Sequence, residues 1–189
     1  MLQLGVYALN SDVQLPTYGT SFSSCFDLRY CPTTRIVNGY DEENRVIERW
    51  VDDDGSVVIL PGDRLLIPTG MVCRLDYQVS IEDFADIIKH HGNDVSLRDF
   101  SIRLHPRSGL ALKQGLVLAN CEGVVDADYQ HEVFVMMHNI SKVGARIKKG
   151  DRIAQGEVVC NEPFNFYMLK EMPKQVGNRD GGFGSTGVK

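Results

Sequence analysis

The sequence predicts an all-β protein of the sandwich or barrel type, and three observations support this fold class. Most of the chain consists of short runs rich in Val, Ile and Leu that end at Gly, Pro or Asn, as strands between turns do. Segments 61–66 and 149–154 share one design, in which a Gly-Asp turn leads into an apolar strand, as in a hairpin. In segment 133–137 both alternating faces are apolar, so this strand should be covered twice, by its own core and by another subunit.

The expected strands share this apolar, β-branched composition. They are Arg64–Ile67, Ser101–Leu104, Leu116–Ala119, Val133–Asn139 and Arg152–Val159. One segment departs from the pattern: apolar residues recur at helical spacing after Ser80, and Gly92 follows, so we expect a short amphipathic helix at Ile81–His91. Residues 31–57 are predicted to be irregular, with an acidic turn at 52–55.

The end of the chain is tail-like after Pro163. Residues 177–189 contain five glycines and a single large apolar side chain, Phe183, which is too little to form a core. The Phe164, Phe166 and Tyr167 cluster before it is interpreted as packing residues.

Composition limits the function classes. The 189 residues suit one domain with an appendage, and a net charge of −5 argues against direct nucleic-acid binding. The N-terminus lacks the pattern of a signal peptide, and no apolar run approaches the roughly 18 residues of a membrane span. Five cysteines without a CxxC pair indicate reduced thiols in an intracellular protein. Cysteines and histidines show no zinc-site spacing, so no metal held by protein side chains is predicted.

Three segments contain residues suited to chemistry, although each also has a structural interpretation. The Gly-rich end, 179–187, could turn backbone N–H groups toward phosphates, or be a disordered tail. Segment 106–111 places Arg and Ser beside Gly, as an anion site or a surface turn would. Asp126 follows two valines, either as a catalytic carboxylate or as a turn cap.

In their order along the chain, these segments resemble the five motifs of the trimeric dUTPase family. The motifs are Ser24–Leu28, Pro106–Ala111, Gly123–Tyr129 with Asn120 upstream, Gly150–Gln155, and the Gly-rich end. The steps of 18 residues from Ser108 to Asp126 and of 29 residues from there to Gln155 also suit the family. Two apparent insertions, at 31–57 and 77–100, resemble those of some bacteriophage members.

The resemblance implies a β jelly roll, or distorted barrel, in residues 1–162. It implies a flexible C-terminal arm, 163–189, that closes over an active site of a neighbouring subunit in a homotrimer. The implied reaction is the Mg²⁺-dependent hydrolysis of dUTP to dUMP and pyrophosphate, in the cytoplasm.

The resemblance also assigns residue roles. Asp126 is the general base that activates the water attacking the α-phosphorus, while Mg²⁺ is held mainly by the triphosphate and reached by Asp27 through water. The expected phosphate-binding residues are Arg107, Ser108, Gly109, Gln155, Arg179, Ser185 and Thr186. The expected uracil and deoxyribose contacts, made by a hairpin and the arm, are Asn120, Gly123, Val125, Tyr129 and Phe183.

The chain departs from the family pattern at three places. Phe26 stands where a small residue usually precedes the first-motif Asp, and His131 replaces a Gly after the third motif. In the arm, Arg179 stands four residues before Phe183 rather than five, and Asn178 holds the usual position.

Two other functions fit the same sequence. A dCTP deaminase, or a bifunctional deaminase–dUTPase, has the same fold and a catalytic Glu on the strand after the hairpin, where Glu132 stands. Against it, Gly109 stands where those relatives have a second Ser, and they lack the Gly-rich arm. A regulatory binding protein could instead use helix 81–91 as a docking face.

Overall fold

The computed structural model describes residues 2–77, 100–162, 164–175 and 177, which form thirteen strands and one short helix. The strands are β1 (Leu2–Ala8), β2 (Thr17–Tyr18), β3 (Phe26–Arg29), β4 (Ile36–Tyr40), β5 (Val46–Trp50), β6 (Val57–Ile59), β7 (Arg64–Tyr77), β8 (Phe100–His105), β9 (Leu116–Leu118), β10 (Gly123–Asp126), β11 (Glu132–Asn139), β12 (Ala145–Ile147) and β13 (Arg152–Cys160). Helix α1 spans Ser108–Gln114.

Two large antiparallel sheets and one small sheet share a single core. One large sheet has the order β5-β4-β7-β11-β9, with β1 also paired to β7, and the other has the order β10-β8-β13-β3-β2. Strands β6 and β12 form the small sheet. The core between them is mostly aliphatic, with Leu65 and Val135 from the first sheet, Leu28 and Ile153 from the second and Ile59 from the third fully or almost fully buried. This burial supplies the main driving force for folding.

The predicted all-β jelly-roll class is confirmed, as are all five predicted strands. Over the described ranges the sheets do not close into a barrel. The two Gly-Asp turns also exist, with Gly62 at φ 80° and Gly150 at φ 87°, where glycine avoids steric strain. The expectation of hairpins there is wrong. The turn at Gly62 joins β6 of the small sheet to β7 of one large sheet, and the turn at Gly150 joins β12 of the small sheet to β13 of the other.

Residues 36–50 form a regular hairpin, so the prediction of an irregular stretch over 31–57 is wrong. Strands β4 and β5 pair throughout their length, from Ile36 opposite Trp50 to Tyr40 opposite Val46. Gly39 allows β4 of the hairpin to approach β7 closely enough to pair with it. A Cβ at this position would lie 2.1 Å from the Arg64 carbonyl oxygen and would clash with it.

Asp63 fixes the hairpin to the turn before β7. Its carboxylate, which is 2% exposed, accepts hydrogen bonds of 2.8 and 2.9 Å from the Arg49 guanidinium and one of 3.0 Å from the Leu60 N–H. We expect Asp63→Ala to lower the free energy of unfolding by about 3 kcal/mol, because the Leu60 N–H and the Arg49 guanidinium lose their partner. Urea unfolding at fixed protein concentration measures this.

The matched control for that measurement is Asp53→Ala. Asp53 pairs with Arg35 at 2.9 Å, but its side chain is 99% exposed, so its removal should change stability by less than about 0.5 kcal/mol. Equal effects of the two substitutions would contradict the structural role of Asp63.

Helix α1 was not predicted, since Pro106–Ala111 was interpreted as a turn or loop between strands. Its sequence nevertheless contains good helix formers, and it ends at Gly115, which has φ 65° and donates its N–H to the Ala111 carbonyl. Leu112 is exposed on its surface.

Two other expectations lie outside the described residues. The helix predicted at Ile81–His91 falls within 78–99, and most of the Gly-rich arm falls within 178–189. No helix within the described ranges has the length and apolarity that crossing a membrane requires.

Candidate active site

The outer face of the five-stranded sheet brings together residues from distant parts of the sequence. Asp27 of β3 lies opposite Gln155 of β13, which in turn lies opposite His105 of β8. Cross-strand partners point to the same side of a sheet. Their neighbours along the strands, Leu28 and Ala154, are buried in the core, so these three residues lie on the opposite face.

Two guanidinium groups cover the Asp27 carboxylate, which is 5% exposed. Arg107 Nε lies 3.1 Å from Asp27 Oδ1, and Arg152 Nη1 donates a hydrogen bond of 3.1 Å to Oδ2. Arg107 also donates through Nη1 to the Arg152 carbonyl. The contact between Arg107 Nε and Asp27 Oδ1 is close but lacks hydrogen-bond geometry, and neither atom has another hydrogen bond within the described structure. Both atoms are buried, so within the described part of one chain each is a polar group whose hydrogen-bonding capacity is not used.

Ser108 and Gly109 follow directly at the start of α1, and both are exposed. A Cβ at Gly109 would meet no atom within 4 Å, so packing within one chain does not require glycine there. The structure thus places Asp27, Arg107 and Gln155 in one cluster, which we call the phosphate cluster, with Ser108 and Gly109 at its edge.

Asp126 lies on the same sheet but far from this cluster. It is exposed at the end of β10, and its cross-strand partner in β8 is Ser101. The cross-strand partner of Gln155 in β8 is instead His105, at the other end of that strand. Along β8, Ser101 and His105 are four residue steps apart, at about 3.3 Å each, and three strand spacings of about 4.8 Å lie at right angles to them. Together these separate Asp126 from Asp27 by about 20 Å. One chain does not bring the expected base and the phosphate cluster together.

The other expected nucleoside contacts surround Asp126. Asn120 is exposed before β10, while Gly123 lies so close to β8 that a Cβ would be 3.0 Å from the Leu104 Cβ. Val125 is 7% exposed and packs in the core, so it can reach a ligand only through its backbone. Strand β10 is an edge of its sheet, which leaves backbone groups on one side without a strand partner in the described structure.

Tyr129 is fixed in the loop after β10. It donates its hydroxyl to the Glu132 carbonyl at 2.9 Å, and its ring meets His131 edge-on at a centroid distance of 5.7 Å. The hairpin expected around Asn120–Tyr129 is not formed, because β10 does not pair with the strand before it or the strand after it. Strand β10 pairs with β8, while β9 and β11 belong to the other large sheet.

Comparison with known proteins decides the family. A sequence model of the dUTPase family matches residues 94–187. A deoxyuridine 5'-triphosphate nucleotidohydrolase of Hydrogenobaculum is 33% identical over all of this chain and all of its own length. One from Caulobacter vibrioides is 31% identical over 95% of this chain and 89% of its own.

The chain belongs to the dUTPase family. The resemblance found in the sequence is therefore confirmed, and the chain is an enzyme. Solved dUTPase structures have the same fold: that of Staphylococcus bacteriophage 80alpha has a TM-score of 0.69 at 17% identity, covering 98% of this chain and 99% of its own. The Streptococcus mutans dUTPase has a TM-score of 0.52 at 19% identity, covering 87% and 98%.

Glu132, the position that favoured a deaminase, has structural partners in this dUTPase-family chain. Its carboxylate accepts the Gly70 N–H at 2.8 Å and the Thr33 hydroxyl at 3.2 Å, on the sheet that does not carry the phosphate cluster. Burial raises the pKa of this carboxyl group, and the two hydrogen bonds oppose that shift. These bonds connect β11, β7 and the segment before β4.

Two features of the site were missed from the sequence. Arg152 was identified as part of a motif but not as a partner of Asp27, which is distant in the sequence. The sheet also brings Cys25, His105 and Glu157 together beside the phosphate cluster. Burial, and secondarily the charge of Glu157, raises the pKa of the Cys25 thiol.

The expected arm residues Arg179, Phe183, Ser185 and Thr186 lie outside the described residues, so their roles stay predictions. The segment before them is described, and its large apolar side chains are exposed, with Phe166 at 89% and Met168 at 92%. Phe164 and Phe166 contact each other, but both are exposed, as is Tyr167, so the interpretation of this cluster as packing residues is wrong within the described part of the chain.

Proposed function

We propose that this chain hydrolyses dUTP to dUMP and pyrophosphate, with Mg²⁺, at active sites shared between the subunits of a homotrimer. Relatives that match most or all of the chain are named deoxyuridine 5'-triphosphate nucleotidohydrolases, which supports the substrate. The observation that carries the proposal is the phosphate cluster, where Asp27 Oδ1 and Arg107 Nε have no hydrogen bond within the described structure.

The cluster supports binding of a triphosphate through charge and through donor groups. Arg107 and Arg152 supply two cations around a single carboxylate, which leaves a net positive charge beside Gln155. Guanidinium groups bind phosphate oxygens with two parallel hydrogen bonds. The exposed Ser108 adds a hydroxyl donor at the edge of the same cluster.

Asp27 fits an Mg²⁺ ion that is bound through water rather than enclosed by the protein. Its carboxylate oxygens are hard ligands of the kind that Mg²⁺ prefers, but two guanidinium groups at 3.1 Å compete with a direct bond. In the described part of the chain, the group of three metal-ligating side chains contains Cys and His, so it is not a magnesium cage. When bound to the triphosphate, Mg²⁺ neutralises charge on the leaving pyrophosphate.

Asp126 would activate the attacking water. Hydrolysis of a polyphosphate requires an in-line water and stabilised negative charge rather than a covalent intermediate. The exposed Asp126 carboxylate can accept a proton from such a water, and the guanidinium groups of the phosphate cluster stabilise the leaving group.

The distance between these two parts supports a site shared between subunits. Since about 20 Å separates Asp126 from Asp27 within a chain, Asp126 of one subunit would meet the phosphate cluster of another. An apolar patch is available for such an assembly: Phe134 and Met136 of β11 are each 39% exposed on the side away from the core, and Leu66, opposite Met136, is 40% exposed. The exposed Phe166 and Met168 would be covered as the arm crosses to a neighbour.

The selectivity for uracil would come from the unpaired edge of β10. Backbone N–H and C=O groups can match the acceptor–donor–acceptor edge of uracil, and cytosine would leave some of them unpaired at about 1–3 kcal/mol each. Tyr129, held by its bond to Glu132, would pack against the deoxyribose and exclude a 2′-hydroxyl group. Phe183 of the arm would stack on the base.

The proposed reaction is tested by incubating the purified chain with Mg²⁺ and either dUTP or dCTP. We expect dUMP and pyrophosphate from dUTP, and no change in dCTP, when products are separated by chromatography. Ammonia release from dCTP would instead support the deaminase. A chain that leaves both nucleotides unchanged would contradict the proposed function.

A further inference from the structure

Three side chains with different metal-ligating atoms meet beside the phosphate cluster. Cys25 precedes β3, His105 ends β8, and Glu157 lies in β13 two residues after Gln155. One ligand atom from each of the three lies within 4.8 Å of the others, and all three side chains are partly buried. We call these residues the Cys25 triad.

The strands fix the triad in place. His105 and Gln155 are cross-strand partners, and Glu157 follows Gln155 on the same face of β13. His105 Nε2 already lies 3.0 Å from Glu157 Oε1. The paired strands β8 and β13 hold the backbone at His105 and Glu157. Binding of a metal ion would therefore require mainly side-chain movement.

The chemistry of the triad suits zinc rather than magnesium. Thiolate sulfur, imidazole nitrogen and carboxylate oxygen are the ligands that zinc takes in proteins, whereas Mg²⁺ prefers oxygen alone. In a tetrahedral zinc site with bonds of 2.0–2.3 Å, ligand atoms lie about 3.3–3.8 Å apart. No two of the three ligand atoms are more than 4.8 Å apart, so any pair would have to close by at most about 1–1.5 Å, which small side-chain rotations can supply.

The surroundings favour a cation and orient the histidine. Glu122 Oε1 lies 3.8 Å from His105 Nδ1, so carboxylates approach both nitrogens of the ring. A carboxylate near the second nitrogen of a zinc-bound His is the usual outer partner that sets the ring's orientation. The neighbouring cation, Arg103, donates hydrogen bonds to Glu122 and to Asn161.

We propose that Cys25, His105 and Glu157 form a binding site for zinc or a similar soft divalent ion, with a fourth position open to water. On binding, the Cys25 thiol releases its proton to solvent as the metal–sulfur bond forms. The site is separate from the Mg²⁺ proposed for the substrate, which involves Asp27 and the triphosphate.

The test uses the full chain, which is stripped of metals with a chelator, freed of the chelator and then incubated with excess Zn²⁺. We expect one zinc ion per chain to remain after dialysis in the presence of excess Mg²⁺, measured by elemental analysis. With Co²⁺ as the probe, the absorption spectrum should show a thiolate-to-cobalt charge-transfer band. Cys25→Ser should remove that band and weaken zinc binding at least about 100-fold, since losing even an outer partner costs about 10- to 100-fold.

The controls use residues of the same kind outside the triad. Cys160→Ser, at the exposed end of β13, and His138→Gln, on the other large sheet, should keep the band and the affinity. His105→Gln provides a second triad variant, and circular dichroism checks that each variant is folded. Wild-type chain that retains no zinc after reloading and dialysis, or Cys25→Ser and Cys160→Ser chains that bind zinc equally, would overturn the proposal. Because dUTP hydrolysis is not a readout, these results are independent of the proposed function.

Discussion

Asp126→Asn is expected to lower kcat for dUTP hydrolysis at least about 100-fold while KM changes by only a few-fold. The substitution keeps the size of the side chain but removes the group that accepts the proton from water. Asp126 is exposed and makes no side-chain ion pair within the described structure, so the fold should not depend on its charge. Steady-state kinetics with saturating Mg²⁺, together with dUTP binding measured by calorimetry, would separate loss of chemistry from loss of binding.

Asp128→Asn is the matched control for that variant. Asp128 is an exposed carboxylate two residues further along the same loop, and no role is proposed for it. It should keep nearly normal turnover. If Asp126→Asn hydrolyses dUTP at the wild-type rate, Asp126 is not the general base.

Two inactive variants should restore activity when they are mixed. Asp126→Asn leaves the phosphate cluster intact, and Arg107→Ala leaves Asp126 intact, so each variant carries one competent half of the proposed shared site. When the two are refolded together in equal amounts, random assembly should make about a quarter of the sites complete, with a matching share of wild-type activity. The rate of dUMP formation measures this recovery.

Each variant refolded alone serves as the control for that experiment and should stay inactive. Arg107→Ala leaves Asp27 paired with Arg152, so the cluster keeps one of its ion pairs. A mixture that gains no activity, although mass analysis shows mixed assemblies, would place the whole site within one chain and contradict the shared arrangement.

The strands could be predicted because their composition and the residues at their ends both indicate strand structure. Runs such as Val133–Asn139 combine apolar alternation with polar or Gly-containing ends, and Gly62 and Gly150 mark the turns. The pairing of strands could not be read in the same way. Segments β6 and β12 each precede a Gly-Asp turn, but they pair with each other because the core, rather than the turn, determines their neighbours.

Two elements were missed for local reasons. The hairpin at 36–50 contains many charged residues, so its strand pattern was not recognised. In β5 the burial alternates with a period of two, with Ile47 and Arg49 less exposed than their neighbours. Helix α1 is only seven residues long, yet Gly115 after a run of helix formers was a usable stop signal.

The residues of the phosphate cluster were identified through family motifs, but their contacts were not. Arg152 and Asp27 are 125 positions apart, and their ion pair depends on the register between β13 and β3, which shifts between Arg152 and Ala154. The Cys25 triad was missed for the same reason. Zinc sites are recognised in sequences by short spacings, whereas the three residues of the proposed site come from β8, β13 and the segment before β3.

The two halves of the proposed site, at opposite ends of one sheet, also have a genetic consequence. In the proposed homotrimer, a protomer with a defect at Asp126 alone would inactivate one site, and so would a protomer with a defect at Arg107 alone. A protomer with both defects would inactivate two sites at once, because in the proposed arrangement each end contributes to a site with a different neighbour. When it is co-produced with the normal chain, such a double mutant should therefore act as a dominant inhibitor.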